Sequence, residues 1–582
     1  MDLRLMLDRP TEAERVAVDS LLGANQVLNG RVVYGGHSAR AQRHLLLPAL
    51  HAVQDASGVV SRGALAYICD RLTIPPAEAY GVATFYALFD VDGTPGSSIH
   101  VCDDIVCAQY GAEDLCAALD EAGTSYHRSP CLGQCDRAPA AMFHEPGTGY
   151  GNAAPVSTES VGTPVFDELP SGLVHQDVSG LKLLSRIGVV DPSSIDSYRS
   201  AGGFQALARA REMGPEAVIA ELKRSNLRGR GGAAFPIGVK WEGVRNAAGA
   251  EKYVIANGDE SEPGTFKDRL IMEADPFAVV ESMALYGFAT GAGQGYIYVR
   301  GEYPTAERRL REAIFQTEKA GLMGEAFRLE VRRGAGAYIC GEETALFASI
   351  EGHRGEPRQK PPFPTQSGVF GKPTGINNIE TLLAALYVVS VGGEAFATIG
   401  TEQSAGPKLF CVSGAVERPG VYEVTFGATL GELLELAGGL RAGKGLGAVL
   451  MGGAAGVFAD ASALEVPLTF EDTRAAGTTL GSGSVIFFDE ETDFGPVLAR
   501  IARFFRDESC GQCVPCRIGT VRQEEALARL AAGRPLGSVD DERKRLDDLA
   551  LVMTDASICG LGQTAASAIQ SAIRLGLPGV PA

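Results

Sequence analysis

The tightest constraint in this sequence is a run of three cysteines, Cys510, Cys513 and Cys516, spaced C-x2-C-x2-C and followed after 42 further residues by Cys559 in Ser-Ile-Cys-Gly. Three thiolates on one loop plus a remote fourth suit the corners of a [4Fe–4S] cube, which needs four soft ligands. Gly511 lets such a loop turn around the group. A tetrahedral zinc site is the competing reading, although zinc sites usually pair two C-x2-C knuckles instead of three clustered cysteines and a single one. On either reading the stretch of about 90 residues after Asp493, which has a mainly helical pattern, must close back on itself.

A second set lies in the N-terminal third. Cys102 and Cys107 form C-x4-C, Cys131 and Cys135 form C-x3-C, and 23 residues separate the pairs. Two paired loops suit a [2Fe–2S] rhomb with one pair per iron, with zinc and reduced structural thiols as alternatives at this spacing. The remaining four of the 12 cysteines, Cys69, Cys116, Cys340 and Cys411, stand singly in apolar surroundings and read as buried structural residues. A disulfide framework is not expected, because the N-terminal Met-Asp-Leu-Arg-Leu-Met stretch has no secretory pattern and a cytoplasmic location keeps thiols reduced.

With 582 residues, the chain divides into roughly three to five domains at ordinary domain sizes. Its net charge of −19 disfavours nucleic acid and anionic membrane as partners. Neither of the longest uncharged runs reads as a membrane span: Ser282 to Val299 carries four glycines and a glutamine, and the similar run near the C-terminus is rich in Gly, Gln, Ser and Thr. The pattern along the chain predicts a multidomain α/β and α+β protein. Residues 1–92 form a helical segment, with Leu46, Ala49, Leu50 and Val53 on one face and Ser61 opening a second helix. Residues 93–175 hold a strand at Ile99 to Cys102, a helix near Ala112 to Ala122, and a loop and linker from Glu145 to Gly172. Residues 176–405 form an α/β domain, 406–492 a compact α+β unit around a helix from Leu430 to Ala437, and 493–582 a helical bundle.

Gly229, Gly231, Gly232 and Gly238 crowd ten residues ahead of Trp241, so backbone N–H groups there can approach a phosphate while Lys240 adds a point charge. This is neither a Rossmann fingerprint nor a Walker A loop, and a flexible surface loop is the plain alternative. Asn257-Gly-Asp-Glu-Ser-Glu-Pro-Gly264 follows a predicted strand, Tyr253 to Ala256, placing Asp259, Glu260 and Glu262 where ligands sit in α/β folds. These carboxylates suit hydroxyls or a flavin ring, or form a solvated acidic turn. Gly341-Glu342-Glu343-Thr344 forms a third group, and Asn377, Asn378 and Thr381 stand where a helix cap would also stand. Phe235 and Phe363 sit beside prolines in loops, as core residues or as faces for an adenine.

Together GRGGAAFPIGVKW, ANGDESEPGTFKDR, GAGAYICGEETALFASIEGHRGEPRQKPPFP, PTGINNIET and SCGQCVPCRIGT closely resemble the flavoprotein subunit of respiratory NADH dehydrogenase and its diaphorase relatives, over about 190 to 575. Residues 38 to 142, with HLLLPALHAVQDASG and GVATFY, resemble the companion [2Fe–2S] subunit, here fused ahead of the flavoprotein. The resemblance implies a thioredoxin-like [2Fe–2S] domain liganded by Cys102, Cys107, Cys131 and Cys135, an FMN-binding α/β domain, a ubiquitin-like (SLBB-type) domain, and a bundle holding [4Fe–4S] on Cys510, Cys513, Cys516 and Cys559. It implies FMN on Gly229, Gly231, Gly232, Lys240, Asn257, Asp259, Glu260, Gly341, Glu342, Asn377, Asn378 and Thr381. NAD is implied on Phe235, Glu262, Glu343, Lys360 and Phe363, with Glu262 and Lys240 as candidate catalytic residues. Departures from the family pattern are Ala234 and Ile237, where Gly and Thr are expected, and Glu242-Gly243, where a second aromatic often follows Trp241.

Hydride transfer moves two electrons and each cluster takes one, so a flavin is the needed converter. The chain has no molybdopterin, nickel or quinone motif, which makes it one part of a larger cytoplasmic enzyme. By family analogy the fused modules and complete N-terminal cysteine set point to NAD-dependent formate dehydrogenase, with a molybdenum or tungsten catalytic subunit carrying further iron–sulfur clusters as partner, in a heterodimer or larger assembly. A NAD-reducing nickel–iron hydrogenase, the respiratory module, and a non-catalytic electron-relay or scaffold subunit are the alternatives.

Overall fold

The computed structural model describes residues 8–580 apart from 24–26, 29–30, 33–36, 92, 167–171 and 325. Residues 1–7, part of the stretch read as lacking a secretory pattern, and 167–171, at the end of the expected linker, lie outside the described residues.

A four-stranded, wholly parallel sheet carries the central α/β domain, in the order Thr374–Asn378, Tyr253–Gly258, Gln294–Val299, Arg328–Arg333. Its central strands, Tyr253–Gly258 and Gln294–Val299, are largely buried apolar runs, as expected where helices cover a parallel sheet, while the edge strand Arg328–Arg333 alternates charged and apolar residues. Helix Pro276–Thr290 is buried along almost its whole length and helix Ile379–Val391 packs against it. This accounts for the uncharged run from Ser282: it is the end of a core helix, a turn and a buried strand. Among the described residues no helix is long and apolar enough to cross a membrane.

Upstream, helices Leu46–Ser57 and Arg62–Leu72 carry the predicted apolar faces, the second capped by Ser61, whose hydroxyl accepts the Ala64 N–H at 3.0 Å. A first helix, Glu12–Leu22, opens with a Thr11/Glu14 capping box. The next sheet runs His127–Ser129, Ser98–Cys102, Ala141–Glu145, Gly149–Ala153. The last strand falls inside the stretch expected to be loop. Gly-Tyr-Gly-Asn-Ala has no apolar alternation to mark it, and it forms because its backbone pairs antiparallel with Ala141–Glu145.

The α+β unit is a five-stranded mixed sheet, Gly420–Thr425, Pro407–Gly414, Ser484–Asp489, Leu446–Met451, Val457–Ala459, around helix Leu430–Leu436. Helices Phe494–Glu508, Val514–Ala531, Val539–Ala556 and Ser567–Leu575 follow. The modules interlock through buried polar contacts. Arg269 reaches Asp136 at 2.8 Å, Arg300 donates to the Cys131 carbonyl at 2.7 Å, and the Tyr110 hydroxyl donates to the Gly414 carbonyl at 2.7 Å.

Candidate functional site

Cys102 ends its strand, Cys107 lies in helix Ile105–Gln109, Cys131 lies on the loop beyond the edge strand and Cys135 opens the 3-10 turn Cys135–Arg137; all four are buried. Cys131 and Cys135 Sγ are 3.3 Å apart. Contacts from Cys102 and Cys135 hold the Cys131 thiol well below the usual range, while the contact with Cys107 helps push Cys102 up. The thiols therefore lie as two pairs joined through Cys102 and Cys131, a donor set that fits one pair per iron. Asp104 fixes the loop by accepting the Cys131 N–H at 2.9 Å. Among the described residues no group of three or more His, Cys, Asp or Glu side chains is arranged around a point as one metal ion would require.

At the other end, Cys510, Cys513, Cys516 and Cys559 all line one small pocket, walled by Ile339, Pro357, Ile558 and Leu561. Cys513 and Cys559 each precede a helix, Val514–Ala531 and Gly560–Thr564, whose free N–H groups favour the negative charge of a thiolate-bound cluster. Burial pushes Cys516 to about 12 and Cys559 to about 11, so a group that takes these ligands must draw off their protons. Four soft donors around an enclosed apolar space fit the cube.

Between the clusters, the parallel sheet ends in a cradle. Asn257 and Asn378 are register partners at the carboxyl ends of adjacent strands. Asn257 donates to the Gly341 carbonyl at 2.9 Å, and Asn377 accepts the Trp241 indole N–H at 2.9 Å. Asn378 caps helix Ile379–Val391 by accepting the Thr381 N–H at 3.3 Å, and donates to Asp268 at 2.6 Å. The cap reading thus holds for Asn378. The glycine loop crosses above: Thr381 accepts the Arg230 N–H at 2.8 Å, and a Cβ on Gly231 would stand 3.0 Å from that of Asn378. Lys240 reaches the Ile376 carbonyl at 3.1 Å, and burial lowers its pKa.

Asp259 is half-buried, desolvation pushes it well above the usual carboxylate range, and its buried Oδ2 has no hydrogen-bond partner. An orphaned acceptor above a glycine-lined sheet edge fits a ligand rich in N–H and O–H donors, as FMN is. Glu260 is engaged differently. Its carboxylate accepts the Asp268 and Arg269 N–H groups at 2.9 Å each, at the start of helix Lys267–Ala274. Glu342 likewise caps helix Glu343–Ile350 through the Thr344 and Ala345 N–H groups. Lys360 ties Glu342 and Glu343 together at 3.0 and 2.5 Å.

Phe235 and Phe363 are 48% and 55% exposed, so their faces are free to stack. Ala234 holds a left-handed backbone at φ 52°, the conformation that explains the expectation of glycine there. Ile237 is the buried first residue of helix Ile237–Asn246, and Glu242 pairs with Lys223 at 2.5 Å, taking no part in stacking. Sequence reasoning passed over Arg230 and Tyr338. Arg230 is buried beneath the loop, donating to the Ala405 and Pro407 carbonyls at 2.7 and 3.1 Å with its guanidinium over Phe426. The Arg inside Gly-Arg-Gly-Gly was the available signal.

Family comparisons agree with this layout. Residues 35–161 match the thioredoxin-like [2Fe-2S] ferredoxin family, 222–387 the Nuo51 FMN-binding domain, 409–452 the SLBB domain and 496–575 the NADH-ubiquinone oxidoreductase-F iron-sulfur binding region. Over 67% of its length the chain is 43% identical to the second F-type subunit of the NADH-quinone oxidoreductase of Rhizobium meliloti, covering 94% of that protein. It is 42% identical to the HndC component of the NADP-reducing hydrogenase of Solidesulfovibrio fructosivorans over 66% of this chain and 79% of that one. Its fold matches a chain of a NAD+-reducing [NiFe]-hydrogenase solved in the air-oxidized state with a TM-score of 0.79, at 32% identity and 93% coverage of both chains. With a [2Fe–2S] module fused ahead of the flavin-binding and [4Fe–4S] regions, the chain is an oxidoreductase subunit of diaphorase type and belongs to the family of F-type subunits of NADH-quinone oxidoreductase.

Proposed function

We propose that the chain exchanges hydride with NAD(H) at the sheet-end cradle and relays single electrons between that site and a partner subunit carrying further redox centres. When bound, FMN supplies the conversion between two-electron and one-electron transfer. The chain's own residues do the rest. Asn257, Asn377, Asn378, Thr381 and the Gly229–Gly232 loop orient the flavin, and Asp259 offers the acceptor its donors need. Exposed Phe235 and Phe363 stack the nucleotide, and Glu262, Glu343 and Lys360 hold its polar groups. No general acid or base is needed for hydride transfer itself, so positioning and exclusion of water dominate. The orphaned Asp259 Oδ2 is the observation that carries the flavin site. Replacing Asp259 by Ala is expected to lower FMN content of the purified chain several-fold, and unchanged flavin stoichiometry would remove Asp259 from the site.

The partner we infer is a molybdenum or tungsten formate dehydrogenase catalytic subunit, so that formate oxidation reduces NAD. The complete buried set Cys102, Cys107, Cys131 and Cys135 in a fused chain supports this reading. A second reading, the diaphorase half of a NAD-reducing nickel–iron hydrogenase, is favoured by the fold match that covers 93% of both chains. The two separate on one preparation. The chain is purified from its host with its partners attached, NAD reduction is assayed with formate and with hydrogen, and molybdenum, tungsten and nickel are quantified. Formate activity with molybdenum or tungsten supports the first reading, hydrogen activity with nickel the second, and neither activity returns the chain to a respiratory module.

A further inference from the structure

Helix Phe494–Glu508 leads directly into the loop of Cys510, yet one of its side chains contacts the loop between Cys102 and Cys107. Arg500, only 11% exposed, reaches into the N-terminal module. Its Nη2 lies 3.1 Å from Asp103 Oδ1 and its Nε 3.5 Å from Asp104 Oδ1. Both aspartates are buried and lie in the short loop between Cys102 and Cys107. Asp104 in turn accepts the N–H groups of Ile105 at 2.8 Å and Cys131 at 2.9 Å, so the contact from Arg500 ends on backbone next to both ligand pairs. Arg128 and Arg503 also approach Asp103, at 3.3 and 3.7 Å. Arg128 also pairs with Glu113 at 2.6 Å and Arg503 with Asp507 at 3.6 Å, so Arg500 is the guanidinium that engages both Asp103 and Asp104.

Reduction of a buried iron–sulfur centre adds one negative charge in a medium of low dielectric. A fixed cation nearby stabilises that added charge, and a guanidinium stays charged throughout. We propose that Arg500 is a positioning residue for the N-terminal [2Fe–2S] centre: it clamps the Cys102–Cys107 loop through Asp103 and Asp104, and its charge makes that centre easier to reduce. The poise of the N-terminal cluster then depends on docking of the bundle that carries the other cluster. The inference rests on the reading of Cys102, Cys107, Cys131 and Cys135 as ligands.

The test is an anaerobic redox titration of the full chain followed by electron paramagnetic resonance, comparing wild type with Arg500→Gln and Arg500→Lys. In Arg500→Gln the [2Fe–2S] midpoint is expected to move to more negative potential while the [4Fe–4S] and flavin midpoints stay in place. Arg500→Lys, which keeps the charge, should stay near wild type. An intact [2Fe–2S] spectrum with an unmoved midpoint in Arg500→Gln overturns the proposal, as does an equal fall in both variants. If Arg500→Gln does not fold, Asp103→Asn removes the nearest counter-charge and must raise the midpoint; an unchanged or lowered value overturns the proposal. A wild-type chain without any [2Fe–2S] spectrum would instead reject the ligand reading.

Discussion

The Tyr338 hydroxyl donates to Glu262 at 2.6 Å while the other oxygen of that carboxylate accepts the Ala455 N–H, from the ubiquitin-like domain, at 2.9 Å. Burial pushes Glu262 up to about 7 from an ordinary 4.5, and these two bonds oppose the rise. The carboxylate we propose for the nucleotide site is thus held by one residue from the flavin domain and one from its neighbour.

Removing the Tyr338 hydroxyl should raise Glu262 further. A hydrogen bond to a charged group contributes about 1.5–3 kcal/mol and one pH unit is about 1.4 kcal/mol, so Tyr338→Phe should move the Glu262 limb of the pH profile upward by about one to two units. Diaphorase activity with an artificial acceptor, measured as kcat/KM for NADH against pH, reads this shift. The native state binds the extra proton between 4.5 and about 7, so Glu262 also makes the chain less stable as pH rises through that window. A profile identical to wild type would detach Glu262 from nucleotide binding.

Glu343 stands at the first turn of its helix, held by Lys360 at 2.5 Å, and its side chain remains partly exposed. Glu343→Gln keeps the shape and removes the charge. We expect KM for NADH to rise about tenfold, a loss of about 1.4 kcal/mol, with FMN content unchanged. Equal loss of flavin would move Glu343 to the flavin site.

How much of this was legible in the sequence depends on whether a residue acts through its neighbours in the chain or across modules. Both cysteine sets, the glycine loop and the strand-end acids were visible because local spacing brings them together. The Thr11-x-x-Glu14 capping box was equally local, although it was passed over. Strand Gly149–Ala153 was hidden because cross-strand pairing alone creates it. Glu260 reads as one of three acids in a turn, yet its carboxylate is taken by the N–H groups of Asp268 and Arg269, which only the fold brings close. Arg230 and Tyr338 were missed for a related reason: their partners, Ala405 and Glu262, lie 175 and 76 residues away.

Cys559 is the proposed ligand most distant in sequence from the cluster loop, and it lines the same cavity as Cys510, Cys513 and Cys516. Cys559→Ala should abolish the [4Fe–4S] spectrum and lower iron content while sparing FMN, since the flavin cradle lies on the sheet end and not on the bundle. Iron and flavin analysis of one preparation, with its visible spectrum, decides this. An unchanged cluster spectrum would sink the assignment of Cys559.

The docking of the N-terminal module is tested at Gly133, which lies between Cys131 and Cys135 with φ +66°. A Cβ there would come within 2.2 Å of the Tyr303 hydroxyl oxygen and 2.6 Å of its ring. Tyr303 cannot swing aside freely, because it is fully buried and its hydroxyl lies 3.3 Å from the Glu260 carbonyl. Gly133→Ala combines left-handed strain of about 1–2 kcal/mol with overpacking of about 1–3 kcal/mol. The clash lies where the [2Fe–2S] loop meets the flavin domain, so the variant should lose [2Fe–2S] content and melt at a lower temperature. Its [4Fe–4S] spectrum should persist, because that cavity is lined by other residues. Unchanged melting and full [2Fe–2S] content would mean that the two modules do not press together at Gly133 and Tyr303.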